Sequence, residues 1–261
     1  MLRRRLAPAP LIAGLLIASC ALAGASEPRA LVELFTSQGC SSCPAADKLL
    51  GELAGDPSLV ALSVPIDYWD YLGWKDTLAS PAHSARQRVY ARVRGDRQVY
   101  TPQIIVNGSV HVLGSDRAAI ERAVVQTDRN AAIMSAPVLM SVGGGKLNVR
   151  VESSGKDHFG GEVWLCPLAK SVLVEIGRGE NRGRTVTYHN VVRRWLKLGD
   201  WTGTDSTWSV PISDVETDEI DAAAVMVQQG THDKPGIILG AAFVPLRGPA
   251  AASTGQTTKD R

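Results

Sequence analysis

This 261-residue chain has few aromatic residues (5%), only four cysteines and only five histidines, and each scarcity closes a route. The histidines (His83, His111, His158, His189 and His232) show no metal-ligand spacing, so each reads as structural. The formal net charge of +2 includes Arg3, Arg4 and Arg5, which precede every acidic residue; removing those three leaves about −1. No basic patch remains to argue for nucleic acid. After the N-terminal segment no apolar run is long enough for a transmembrane helix. No internal repeat is visible, and the second half carries no evident catalytic cluster.

What is present begins with an export signal over residues 1–25. Arg3 to Arg5 form a basic n-region and Leu11 to Ala18 a short apolar h-region. Two cleavage readings stand. Ala23-Gly24-Ala25 is an A-x-A site that would leave Ser26 first, whereas Ile17-Ala18-Ser19-Cys20 resembles the box where bacterial lipoproteins are cut and lipidated. Either product is expected in the periplasm or secreted, where disulfides persist, with membrane attachment only if Cys20 is lipidated. Cys40, Cys43 and Cys166 remain, an odd number for an exported protein.

Cys40-Ser41-Ser42-Cys43 alone could be a zinc half-site, a structural staple or a redox pair. Its placement is more informative. Ala30 to Phe35 is a short apolar strand, Thr36 to Gly39 a polar turn, and Pro44 opens a helix with Leu49, Leu50 and Leu53 at helical spacing. A dithiol just after such a βα junction is where a thioredoxin-like fold keeps its active site. Leu59 to Ile66 reads as a second strand, parallel to the first. Ser80-Pro81 caps a helix to about Arg94, and Gln103 to Val106 and Val110 to Leu113 flank the hairpin signal Asn107-Gly108. Ser115 then caps a last helix. From Ala136-Pro137 short alternating strands follow one another between Gly- and Asp-rich turns. The expected architecture is an α/β thioredoxin-like N-terminal domain over 26–131, an all-β sandwich C-terminal domain over 134–247, and a disordered tail over 248–261.

Cys40, at or next to the helix N-cap, is the expected nucleophile, because unpaired N–H groups and the helix dipole favour a thiolate. Cys43, one turn on, is the resolving thiol. No cation lies between them, so the depression is moderate. Glu33 is the odd residue in its strand: either a proton acceptor beneath the resolving cysteine or an ordinary strand-face charge. Thr101-Pro102 is either a cis bond turning the Thr101 main chain towards the sulfurs and an extended substrate, or a trans proline starting an edge strand. Tyr68 and Trp69, in an aromatic segment at the same sheet end, either floor a peptide groove or pack core. Cys166 reads as a buried apolar thiol, and Arg178 to Arg184 as a polar hairpin, either an anion holder or, the better reading, a solvated turn.

Leu31 to Pro44, Asp67 to Asp76, Tyr100 to Gln103, and Gly177-Arg178-Gly179-Glu180-Asn181 with Tyr188 to Arg193 together resemble the bacterial secreted family catalogued as domain of unknown function 1223. The resemblance implies a thioredoxin-like fold and the Cys40/Cys43 pair, but no reaction. The chain departs by Ala45 where a second proline is common and by Pro65 in the second strand. It also has Gly39 where thioredoxin itself carries a tryptophan.

Three functions follow. The first is a thiol–disulfide oxidoreductase, without cofactor, acting on exported protein thiols or disulfides with an unidentified redox partner. The second is a non-catalytic scaffold stapled by a structural Cys40–Cys43 disulfide. The third is a Cu(I)-handling protein, needing a third ligand such as His83 or His111.

Overall fold

Strand β1 (Ala30–Thr36) is buried along all seven residues, as a near-continuous apolar run in the middle of a sheet must be. It pairs parallel with β2 (Leu59–Pro65) and antiparallel with β3 (Gln103–Val106). Helix α1 (Pro44–Leu53) connects β1 to β2 and buries Ala46, Leu49, Leu50 and Leu53. Helix α2 (Pro81–Arg94) starts where Ser80 accepts from the Ala82 N–H and stops at Gly95, whose φ of 81° suits glycine. Asn107 and Gly108, both with positive φ, turn β3 into β4 (Val110–Leu113). Helix α3 (Arg117–Thr127) is capped by Asp116, not Ser115: the Asp116 carboxylate accepts from the Ala119 N–H.

The computed structural model describes residues 27–153, 155 and 160–247. The export-signal segment, Cys20, His158 and the 248–261 tail lie outside the described residues. The later strands are β5 (Val138–Gly143), β6 (Lys146–Val151), β7 (Gly161–Glu175), β8 (Thr185–Val192), β9 (Leu196–Trp201), β10 (Ser206–Pro211), β11 (Ala222–Thr231) and β12 (Lys234–Pro245).

These strands do not form a sandwich of their own beside an α/β domain. Among the described residues there are twelve strands, mostly β structure with three α-helices, in two sheets. The larger sheet runs β12-β11-β7-β8-β2-β1-β3-β4, with β9 added on β7; β5, β6 and β10 form a separate three-stranded sheet. The expectation of an α/β thioredoxin-like N-terminal domain followed by an all-β sandwich C-terminal domain is therefore wrong. The join is the outer edge of β2, where Ser63 pairs parallel with Val191 of β8 and the Asn190 amide donates to the Ala61 carbonyl at 3.0 Å. An edge strand left open needs a partner, and here the C-terminal half supplies it.

Alternation across this sheet sorts the core into layers. One face packs Leu31, Phe35, Leu62 and Ile105 with Cys166, Leu168 and Met226 beneath Tyr90 of α2. On the opposite face Val32, Leu34 and Ile104 meet α1 and α3. Farther along that face, Val163, Leu165 and Val225 meet Leu147, Val149 and Val151 of the small sheet.

Candidate functional site

Cys40 and Cys43 are joined as a disulfide with Cα atoms 5.4 Å apart. The loop that carries them is wound by successive turns: the Cys40 N–H donates to the Ser37 carbonyl and the Cys43 N–H to the Cys40 carbonyl, both at 3.1 Å. Cys43, rather than Cys40, is the N-cap of α1, with Pro44 in the first turn where a missing N–H costs little. Cys40 is only 3% exposed and Cys43 fully buried, so neither sulfur has open access to solvent.

The β7–β8 loop holds the dithiol loop by its main chain. Asn181 is buried, and its amide donates to the carbonyls of Gln38 (2.9 Å) and Cys40 (2.8 Å), while its own Oδ1 has no hydrogen-bond partner. The Arg178 to Arg184 stretch is thus not wholly a solvated hairpin. Its arginines are exposed, but Asn181 points inward and clamps the dithiol loop. Asp76 supports the loop from the other side, accepting from the Gln38 N–H at 2.7 Å. Burial raises the Asp76 pKa, against the pull of that hydrogen bond.

The aromatic segment and the cis-proline strand meet the same loop. Thr101-Pro102 is cis. Trp69 donates from Nε1 to Thr101 Oγ1 at 2.7 Å, and a Cβ on Gly39 would stand 3.2 Å from the Trp69 Cβ. Trp69 thus lies against Gly39, the residue before Cys40. Leu34, Pro102 and Ala46 close around Gly114 on the α1 side. Tyr71 is 77% exposed and stacks on Trp69 with ring centroids 6.2 Å apart. Tyr68 also packs on Trp69, with ring centroids 6.3 Å apart, and donates its hydroxyl to Gln87 of α2.

Glu33 is not beneath the dithiol. It projects from β1 towards α2, on the sheet face opposite α1, and its carboxylate accepts from Arg86 Nε at 2.6 Å and the Tyr90 hydroxyl at 2.7 Å. Arg86 is further bonded to Gln228 and stacked on Trp195. Glu33 is neither proton relay nor rim charge but the anion of a buried ion pair linking β1, α2 and β11. The carboxyl on the dithiol's side is Asp47, which the sequence reading passed over. It lies one turn after Cys43, its N–H donates to the Cys43 carbonyl, and it is fully buried. Oδ1 accepts from Thr36 Oγ1 at 2.7 Å and Oδ2 has no partner. Burial, reinforced by the nearby Asp76 charge and eased by the Thr36 hydroxyl, pushes the Asp47 pKa up to about 8. The signal was there: an aspartate four residues after Cys43 and three before buried Leu50 shares the inward stripe of the helix.

The remaining candidates are held elsewhere. Cys166 is buried in the α2-side core, where burial raises its thiol pKa. His83 bonds the Pro65 carbonyl, and burial lowers its pKa to about 4. His111 contacts Tyr100 and Asp96. No group of three His, Cys, Asp or Glu side chains suited to a metal occurs among the described residues.

A family model described as a protein of unknown function (DUF1223) matches residues 31–228. A structural-genomics crystal structure of an Agrobacterium tumefaciens protein is similar, with a TM-score of 0.77 and 30% identity. The match covers 86% of this chain and 97% of that one. Comparison with curated proteins finds no match.

Proposed function

The chain belongs to the DUF1223 family of proteins of unknown function, and we propose that it is a thiol–disulfide oxidoreductase acting on exported proteins. The observation that carries the reading is Asp47, a buried carboxyl poised near neutral pH one turn behind Cys43. A resolving thiol needs a proton acceptor, and Asp47 is a buried carboxyl one turn along the helix from Cys43.

In the reducing direction the Cys40 thiolate attacks one sulfur of a substrate disulfide. A Cys40–substrate bond forms, the substrate S–S bond breaks, and the leaving thiolate takes a proton from solvent. Asp47, in the fraction of molecules in which it is ionised, accepts the Cys43 proton, and the Cys43 thiolate attacks Cys40 Sγ. This forms the Cys40–Cys43 bond and releases the second substrate sulfur, which recovers the proton through Asp47. The substrate gains two electrons and the dithiol loses two; an external thiol or disulfide partner resets the pair. Thr101 and Trp69, with Tyr71 outside them, form the substrate's contact surface at this end of the sheet; buried Pro102 fixes the Thr101 main chain through its cis bond, and Tyr68 supports the surface through Trp69 and Gln87.

A second reading has its own observation. Both sulfurs are buried and the Asn181 clamp holds the loop closed, as a scaffold with a structural disulfide would require. Equilibrating the mature protein in glutathione buffers separates the two. No cation sits between the cysteines and Cys43 caps α1, three residues after Cys40, so a redox pair should fall at about −180 to −270 mV. A pair that stays oxidised below about −300 mV is a staple. In the active protein Cys40→Ser abolishes exchange and Cys43→Ser accumulates mixed disulfides.

A further inference from the structure

A cleft of about 700 Å³ opens between the outer face of α1 and strand β8, and it begins at Pro44, the residue after Cys43. One wall is a free strand edge. β8 pairs with β7 from Thr185 to Val192, but on its other side its one ladder pair with β2 among the described residues is at Val191, beside the Asn190 side-chain bond to the Ala61 carbonyl. The Ile176 N–H donates to the Arg184 carbonyl, so in the alternating antiparallel pattern the even-numbered residues 184–188 of this strand face β7. The peptide groups of Thr185, Thr187 and His189 therefore face away from β7, while the His189 ring lies against Gly51 of α1. The charge at the cleft is positive. Lys48 and Arg184 are exposed and in no ion pair with a described residue, whereas the one acid, Glu52, is already held by Arg117.

We propose that this cleft docks an extended, acidic segment of the substrate protein, which adds a strand to the free edge of β8. The proposal rests on the oxidoreductase reading and names the substrate class for it. Five residues of edge, Thr185 to His189, span about 17 Å at strand spacing, enough for five residues of a partner strand. Main-chain pairing tolerates many sequences, while Lys48 and Arg184 select for acidic side chains. The cleft's end at Pro44 delivers the segment beside the dithiol, and the Arg178, Arg182 and Arg184 side chains extend the positive field over the approach.

The probe is a blocked eight-residue peptide of alternating Thr, Val and Glu, made with one terminal cysteine, with serine in its place, and with Lys for every Glu. The mature protein should bind the serine peptide with amide shifts at Thr185 and Thr187, and bind the lysine peptide about tenfold more weakly at low salt. Lys48→Glu combined with Arg184→Glu should reverse that preference. Thr187→Pro removes only an N–H facing the cleft and should abolish binding; should it unfold the chain, the charge reversal and the amide shifts still decide. Equal affinity for acidic and basic peptides, or shifts confined to Thr101 and its neighbours, overturns the proposal. So does a dimer that Thr187→Pro dissociates, because a second copy would then own the edge. The serine peptide carries no thiol, so its binding tests the cleft alone. Binding of the cysteine peptide without exchange would remove the oxidoreductase reading and leave the docking site standing.

Discussion

Replacing Asp47 with asparagine tests the site through stability as well as rate. The Asp47 carboxyl has a pKa of about 8 in the folded protein against 3.8 for the free side chain. Below 3.8 both folded and unfolded chains hold the proton, and its titration costs nothing. Between 3.8 and about 8 the unfolded chain releases that proton while the folded one keeps it, so stability falls as pH rises through the window; above it there is no further change. Integrated from about pH 4.5 to about pH 8.5, the loss is on the order of 4–5 kcal/mol. Asp47→Asn does not titrate, and its amide oxygen can still accept from Thr36. Guanidinium unfolding of oxidised wild type and variant should therefore agree within about 1 kcal/mol near pH 4.5 and diverge near pH 8.5, the variant being the more stable by on the order of 4 kcal/mol. Taking the difference cancels the titrating groups that do not interact with Asp47. In stopped-flow exchange the same variant should resolve mixed disulfides on the order of a hundredfold more slowly, having lost its proton acceptor. Parallel stability profiles across this range would refute the buried-acid argument, and an unchanged resolution rate would remove Asp47 from the mechanism.

Asn181→Ala removes the two bonds that hold the Gln38 and Cys40 carbonyls, costing about 1–3 kcal/mol, and should speed iodoacetamide labelling of Cys40 in the reduced protein, read by mass. If labelling is no faster, Asn181 is not what shields the sulfur. Glu33→Gln leaves the Arg86 guanidinium buried without its counter-charge and should lower stability by about 3–5 kcal/mol in thermal or denaturant unfolding. Disulfide exchange by the fraction still folded should be unaltered, and a selective loss of exchange would restore Glu33 to the site.

The elements around the dithiol were legible in the chain itself because their determinants are local. A buried apolar run makes β1, Pro44 followed by leucines at helical spacing makes α1, and Asn107-Gly108 makes the tight turn before β4. The pairing of Cys40 with Cys43 follows from a spacing that one helical turn can close. Assembly was not legible, because strand neighbours are chosen by non-local pairing. Nothing within residues 59–65 says that β2 will accept β8 across more than a hundred residues, and that one contact merges two expected domains into a single nine-stranded sheet. The same distance hid the partners that assign the polar groups. Glu33 read as either a proton acceptor or a strand-face charge until Arg86 and Tyr90 arrived from α2. Asn181 looked solvated until its loop folded back over Cys40. Asp47 acquires its raised pKa only when α1 packs on the sheet and takes water away from a carboxyl that the helix alone would leave ordinary.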